Sequence, residues 1–313
     1  MTQDHRRIWM TVALVAALAL LAAAAVACSA QASGSSPTGA SSRAAAGRAA
    51  TDDDWSRIAG ALAWMRAAPP SKPVVVLLGG SATRESTISD QSWRSQIQAD
   101  GGPATLAWNM GSHNRTMAQN VAIVKALPKD AHAVVFVGIN LGAFTSTQKS
   151  ATISLPSPAP PPSSISLQQP HQYGISKTGT LSDAQKKAML QQWLVKRYPV
   201  FKANFANNAR LLATLIQVCK TRGYKPVLFE LPRNTAIIGS ALNAPSTRFR
   251  GTCAALARKY GVPWVSFVSR AKIPSPDFYD LWHLVEPGRA VWQKLLSAKT
   301  AALLKQYGYD AGS

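Results

Sequence analysis

Val74-Val75-Val76-Leu77-Leu78-Gly79-Gly80-Ser81 decides how this chain is read. Five consecutive apolar residues, three of them β-branched, show no polar alternation, which is the pattern of a strand buried on both faces. Two glycines then permit a tight turn, and a hydroxyl follows at the strand's carboxyl end. The pattern repeats along the chain. Thr105 to Trp108, Ala133 to Val137, Pro226 to Leu231 and Val262 to Val268 read as further strands. Helical periodicity lies between them, at Ser92 to Ala99, Ala118 to Leu127, Ser182 to Arg222 and Thr247 to Tyr260, with a closing helix over Pro287 to Tyr307. Before the first strand, Trp55, Ile58, Leu62 and Met65 share a helical face, with N-cap chemistry expected from Thr51 to Asp54. Alternating strands and helices predict an α/β domain with a mostly parallel five-stranded sheet covered on both faces. In such sheets sites gather at the carboxyl ends of the strands.

Ser81 stands at such an end. A Gly-rich strand end also suits phosphate binding, but the dinucleotide pattern G-x-G-x-x-G is absent, since the next glycines are Gly101 and Gly102. The elbow G-x-S-x-G is unmet because Thr83 replaces its last glycine. A serine nucleophile needs a base, and the base needs a carboxylate to orient it. Asp280-Leu281-Trp282-His283 lies after the last strand and offers both, three residues apart. Gly111 follows the second strand and Asn140 the third. Their N–H and side-chain amide, with the Ser81 N–H, suit an oxyanion hole, although turn chemistry alone also selects Gly and Asn. His113 and Arg115 are candidate substrate contacts or solvated loop residues, and Arg84-Glu85 reads as a local ion pair. His5, His132 and His171 lack ligand spacing, so no metal and no cofactor is expected.

Taken in chain order, Ser81, Gly111, Asn140 and Asp280-x-x-His283 resemble the blocks of the SGNH (GDSL-type) hydrolases, over roughly Val74 to Tyr307. The resemblance implies a flavodoxin-like three-layer α/β/α fold and an ester-cleaving activity without a metal. Ser81 would be the nucleophile, His283 the base and Asp280 its orienter, with Ser81, Gly111 and Asn140 as the oxyanion hole. Gly80 stands where the family usually has Asp, and Leu141 where Asp is common. These departures point away from the lipase and thioesterase branches. Asp280-Leu281-Trp282-His283-Leu284 with Gly288-Arg289 looks more like envelope branches that move acyl groups on polysaccharides.

The rest of the chain bounds the setting. Of 313 residues, 34 are Lys or Arg against 14 Asp or Glu, a net charge of +20. Such an excess favours anionic polymers or lipid. No nucleic-acid module accompanies it, so nucleic acid is not an expected partner. His5-Arg6-Arg7 and the apolar run Ile8 to Ala27 predict a signal peptide or membrane anchor over residues 1–28, placing the remainder outside the cytoplasm. Ala25-Val26-Ala27-Cys28 resembles a lipobox with Cys28 as lipidation site, and also satisfies ordinary signal cleavage. Residues 29–50 read as a disordered tether and 51–313 as the hydrolase domain. Within it, the Pro-rich insertion 144–181 is either a surface segment or a lid. Cys219 and Cys253, on helices before successive strands, are expected to form a disulfide. Three functions follow: an extracytoplasmic serine esterase or O-acyltransferase acting on acyl esters, expected to be acetyl, of envelope polysaccharide or glycoconjugate; a catalytically silent carbohydrate-binding or assembly module of the same fold; and, more remotely, a nucleotide-binding domain.

Overall fold

A computed structural model describes residues 40–129, 131–160 and 179–309, with backbone alone for residues 40–53. The signal or anchor, the Cys28 lipobox and the tether up to residue 39 lie outside the described residues. So does the middle of the Pro-rich insertion, residues 161–178. Ala50–Ser313 make up one compact unit.

Its sheet has five strands: β1 (Val74–Gly79), β2 (Leu106–Gly111), β3 (Ala133–Ile139), β4 (Lys225–Glu230) and β5 (Trp264–Ser266). All pairings are parallel, in the order β2-β1-β3-β4-β5. The helices are α1 (Ala40–Ala67), α2 (Ser81–Arg84), α3 (Asp90–Ala99), α4 (Met117–Ala126), α5 (Asp183–Gln192), α6 (Tyr198–Thr221), α7 (Thr235–Ile238), α8 (Asn243–Tyr260), α9 (Val268–Ala271) and α10 (Glu286–Gln306). Strand β1 shows why there are three layers. Val74, Val76 and Leu78 enter the apolar cluster with Leu62, Val124, Leu215 and Phe249. Val75 and Leu77 enter the other, with Trp93, Ile97, Trp292 and Leu296. Successive side chains of a strand point to opposite faces, so an unbroken apolar run needs helices on both sides. Each of these side chains is fully buried, and each contributes about 1.5–3 kcal/mol by burial.

The chain leaves β1 toward β2 on one side and β3 on the other. The connections diverge between β1 and β3 and leave a crevice at their carboxyl ends. Ser81 follows β1 and Asn140 follows β3, so both stand at this crevice.

Several local expectations are corrected. Helix α1 begins at Ala40, so residues 51–54 lie inside it rather than capping it. Asp54 instead pairs with Arg84 at 2.9 Å. The helix expected over Ser182 to Arg222 is divided by a π-helical segment, Trp193–Arg197. Pro199 sits in the first turn of α6; it has no N–H and its ring crowds the carbonyl four residues back, which favours the widened turn. Strand β5 is three residues long, a short edge that limits pairing with other chains.

The Cys219–Cys253 disulfide is not formed: both cysteines are free and buried. Their helices, α6 and α8, do pack together, but each sulfur fills an apolar position in the core. Burial pushes the Cys219 thiol up to about 12 and Cys253 higher still, so neither supplies a thiolate.

The start of the insertion is docked. The Nδ2 of Asn204, Asn207 and Asn208 on α6 donates to the carbonyls of Thr145, Gln148 and Ser146. Ile153 and Leu155 pack against the core. At the other end Leu181 N donates to Tyr279 O at 2.9 Å, one residue before Asp280.

Gly79 has φ +152°, and a Cβ there would stand 2.0 Å from Thr83 Oγ1. Gly79→Ala is expected to cost about 2 kcal/mol or more, through strain and a clash that cannot relax separately. A lowered urea midpoint with unchanged slope is the measurement that checks it.

Candidate active site

Ser81 opens the short helix α2, with Gly80 as its N-cap at φ −81°. An ideal Cβ at Gly80 meets only Arg115 O, at 4.0 Å, so the residue before the serine is not glycine for steric reasons. Gly79 is the residue that makes the turn. The Ser81 N–H has no described partner and remains a donor beside its own hydroxyl.

Asp280 and His283 lie in a loop closed by a bridge between Phe278 and Leu284 and by a bond from Tyr279 N to His283 O at 2.8 Å. The Asp280 carboxylate accepts from Trp282 N and His283 N, both at 2.9 Å, which coils the loop around it. His283 Nδ1 stands 2.9 and 2.7 Å from its two oxygens. A carboxylate only accepts, so the proton belongs on Nδ1, and Nε2 is left with its lone pair. That lone pair faces Ser81 Oγ at 2.8 Å. Burial alone would raise the Asp280 pKa; the hydrogen bond and attraction of His283 and the two backbone N–H groups reverse this and hold it below the usual carboxylate range.

A buried polar layer holds this loop, and sequence reasoning missed it. Lys186 Nζ donates to Ser275 O at 2.7 Å, and Ser275 Oγ donates to Asp183 Oδ1 at 2.7 Å. Asn234 N donates to Leu281 O, and Asn234 Nδ2 to Ser275 Oγ and Asp280 O. Lys186 is 1 % exposed, yet its helix reads as a charged, solvated one. The faint signal is the capping box Ser182-x-x-Gln185, which fixes where α5 starts.

Of the three positions expected to supply oxyanion donors, Ser81 and Asn140 keep a donor with no described partner and Gly111 does not. Asn140 Oδ1 caps the turn Leu141–Phe144 through Ala143 N at 3.3 Å, which leaves its Nδ2 as a donor with no described partner. Gly111 does not serve as expected: its N–H already donates to Asn109 Oδ1 at 2.9 Å. Asn109 is fully buried, and its Nδ2 donates to Thr83 O and Thr87 Oγ1, both at 2.8 Å, so its amide is locked. Gly111 is needed for packing, because a Cβ would lie 2.4 Å from Arg84 N. The turn after it, Ser112 to Arg115, abuts Gly80 and holds Asn114 at φ +52°.

Arg115 is not placed for substrate. It is 8 % exposed, bonds Ser112 Oγ at 2.7 and 2.9 Å, and lies over the Trp55 ring at 4.7 Å. It clamps this turn to α1, and burial next to Arg57 draws its pKa down. His113 is exposed on the same turn. Arg84-Glu85 is more than a local pair. Glu85 is fully buried and also accepts from Arg289 Nη2 at 3.1 Å, which ties α2 to α10. Burial pushes the Glu85 carboxyl up, against the pull of Arg84, Arg289 and His283. Among the described residues no cluster of ligating side chains suits a metal.

The all-parallel five-stranded sheet with helices on both faces is the three-layer architecture that the resemblance implied. No family model matches the chain, and no curated protein matches it. Solved structures that resemble it include the following three. One is a Lactobacillus plantarum protein, at 14% identity and TM-score 0.43, over 76% of this chain and 98% of that one. A Bacillus subtilis protein follows at 14% and 0.39, over 76% and 57% of the respective chains. A Desulfitobacterium hafniense protein described as lipolytic and of the G-D-S-L family stands at 12% and 0.38, over 72% and 98%.

Arg289→Ala leaves the buried Glu85 carboxylate with Arg84 alone and is expected to cost about 1–3 kcal/mol. The double change Glu85→Gln with Arg289→Met is expected to cost less, and denaturant titration of the two variants checks the difference. Asp280 has its pKa lowered on folding. Its stabilising contribution is therefore present above its unfolded value of about 3.9 and is lost as pH falls through the folded value. Asp280→Asn is expected to flatten that acid limb, seen as urea midpoints measured between neutral and strongly acid pH.

Proposed function

We propose that this chain is a serine esterase or O-acyltransferase acting on acyl esters through Ser81, His283 and Asp280. The observation that carries the reading is the continuous relay from Asp280 through His283 to Ser81 Oγ, at 2.7 and 2.8 Å, between residues 202 positions apart. Such a relay has one common use, which is to make a serine hydroxyl nucleophilic. Ser81 Oγ attacks the ester carbonyl while His283 Nε2 takes its proton. The tetrahedral oxygen receives hydrogen bonds from Ser81 N–H and Asn140 Nδ2. His283 then returns the proton to the leaving alcohol, and an acyl-Ser81 ester remains. Water attacking that ester completes hydrolysis; a sugar hydroxyl attacking it completes transfer. Asp280 stays ionised and stabilises the imidazolium that forms in each half-reaction.

The setting proposed for this chemistry is the outer side of the membrane, on an acylated envelope polysaccharide or glycoconjugate. The apolar N-terminal run and the net charge of +20, which would keep the chain near anionic polymer, support it. A catalytically silent binding module is favoured by one observation, the occupied Gly111 N–H, which leaves the oxyanion hole with two described donors.

The two readings separate in one experiment. Full-length chain in mild detergent is treated with a fluorophosphonate probe and assayed on p-nitrophenyl acetate. The enzyme reading expects labelling that vanishes in Ser81→Ala, and a loss of kcat on the order of 10²–10³ in Asn140→Ala. Folded protein that takes no label and turns over no ester would leave the binding module standing.

A further inference from the structure

The positive charge of the chain is not shared evenly between its two helix layers. Helices α6 and α8 cover the same face of the sheet, where Leu212 and Leu215 of one and Phe249 and Cys253 of the other enter a single apolar cluster. They lie side by side along their length. Arg248, early in α8, stands over the Phe205 ring of α6 at 4.2 Å. At the other end, Lys220 Nζ of α6 donates to Tyr260 O of α8 at 2.6 Å. The outer side of the pair presents Lys202, Arg210 and Lys220 on α6 and Arg248, Arg258 and Lys259 on α8, all exposed. At 1.5 Å per residue, Lys202 to Lys220 spans about 27 Å.

No acid answers these cations. Glu230 is the sole acidic residue between Asp183 and Asp277 in the chain, and it is buried, with its carboxylate paired to Arg250 at 2.6 Å. Helix α4, against the same sheet face, adds the exposed Lys125 and again no acid. The partners described for the outer cations are neutral: the Tyr198, Phe205 and Tyr260 rings for Lys202, Arg248 and Lys259, and a carbonyl for Lys220. The opposite layer differs, since the exposed acids Asp100 and Glu286 stand at the end of α3 and the start of α10, with Lys294 and Lys305. Like charges crowded on a folded surface repel one another, and an anion bound there relieves the repulsion.

Shape says which anion. A face of this length needs repeated charge, which a single carboxylate or phosphate lacks. Among the described residues the exposed large apolar side chains are Val195 and Val291, and neither lies on α6 or α8. The face therefore has nothing to seat in a bilayer and suits a hydrated polymer. Helices α6 and α8 lead into the parallel strands β4 and β5, so both run back from the end of the sheet that carries Ser81. We propose that the α6–α8 face is the docking surface for a linear acidic polysaccharide, which lies along the two helices and is led toward that end. This specifies the polymer of the preceding reading and does not depend on turnover at Ser81.

Full-length chain in mild detergent is titrated with polygalacturonate, with neutral dextran and with duplex DNA of matched charge. The expected result is binding to polygalacturonate that weakens as salt rises, and none to dextran. The triple change Lys202→Glu, Arg210→Glu, Lys220→Glu should weaken that binding at least about tenfold. Arg270→Glu, Lys294→Glu, Lys305→Glu alters net charge equally on the opposite side and should weaken it less than about threefold. Arg258→Glu with Lys259→Glu gives an independent measure on α8, expected at about three- to tenfold, and an unchanged urea midpoint shows that each variant is folded. Equal losses in the two triple variants reduce the face to bulk charge and overturn the assignment. So does absence of polygalacturonate binding, tighter binding of DNA through the same residues, or displacement of the polymer by phosphatidylglycerol added to the micelles. Fluorophosphonate labelling of Ser81 without polymer binding removes this reading alone. Polymer binding through α6 and α8 without labelling removes the esterase reading alone.

Discussion

Glu85 has no exposed surface, yet it carries a carboxylate between Arg84 and Arg289. Buried charge is tolerated only when it is paired and hydrogen-bonded. Here the pairing has a geometric consequence. Glu85 follows the helix that begins at Ser81, and Arg289 lies in the first turns of α10, six residues after His283. The ion pair thus fixes the helix that Ser81 opens against the helix that follows His283. Arg84 extends the same cluster to Asp54 on α1. The 2.8 Å contact between Ser81 Oγ and His283 Nε2 joins segments 202 residues apart, and the buried cluster of Glu85 and Arg289 holds their helices together.

The sheet does the coarser positioning. Parallel order with β1 next to β3 puts Ser81 and Asn140 side by side, and β4 brings Arg233 to the neighbouring strand end. Around this frame the polar side chains act as spacers. Asn109 fastens β2 to the Ser81 turn, and Asn234 with Ser275 and Lys186 fastens the Asp280 loop. These are satisfied networks, and buried networks of this kind rigidify what they join. Arg115 clamps the 112–115 turn against Trp55, with its Nη1 buried and without a described partner.

The same frame explains why two strand-end donors differ in availability. Asn140 spends its Oδ1 on capping a turn, which orients its amide and leaves Nδ2 to donate. Gly111 lies under α2, where the close approach of Arg84 excludes any side chain and Asn109 takes the N–H. Both are small polar strand-end positions in sequence. Their neighbours across the sheet decide their chemistry.

Much of the fold was legible because it depends on local pattern. The apolar run from Val74 to Leu78 requires burial on both faces, and its alternation with helices requires parallel pairing, so the three-layer architecture was set by composition along the chain. Ser81, Asp280 and His283 were legible for a related reason: strand ends in such a sheet converge, and the residue types allow few other roles. What sequence left open depends on contacts between distant segments. Whether Cys219 and Cys253 bond, whether Gly111 has a free N–H, whether Arg115 faces solvent and whether Glu230 pairs with Arg250 are all settled by which side chains arrive from elsewhere. Periodicity states which face of a helix is buried; it does not state what it is buried against. The meeting of Ser81, His283 and Asp280 at one end of the sheet belongs to the first kind of information. The charge cluster of Glu230, Arg233 and Arg250 belongs to the second, because these residues meet only in the folded chain.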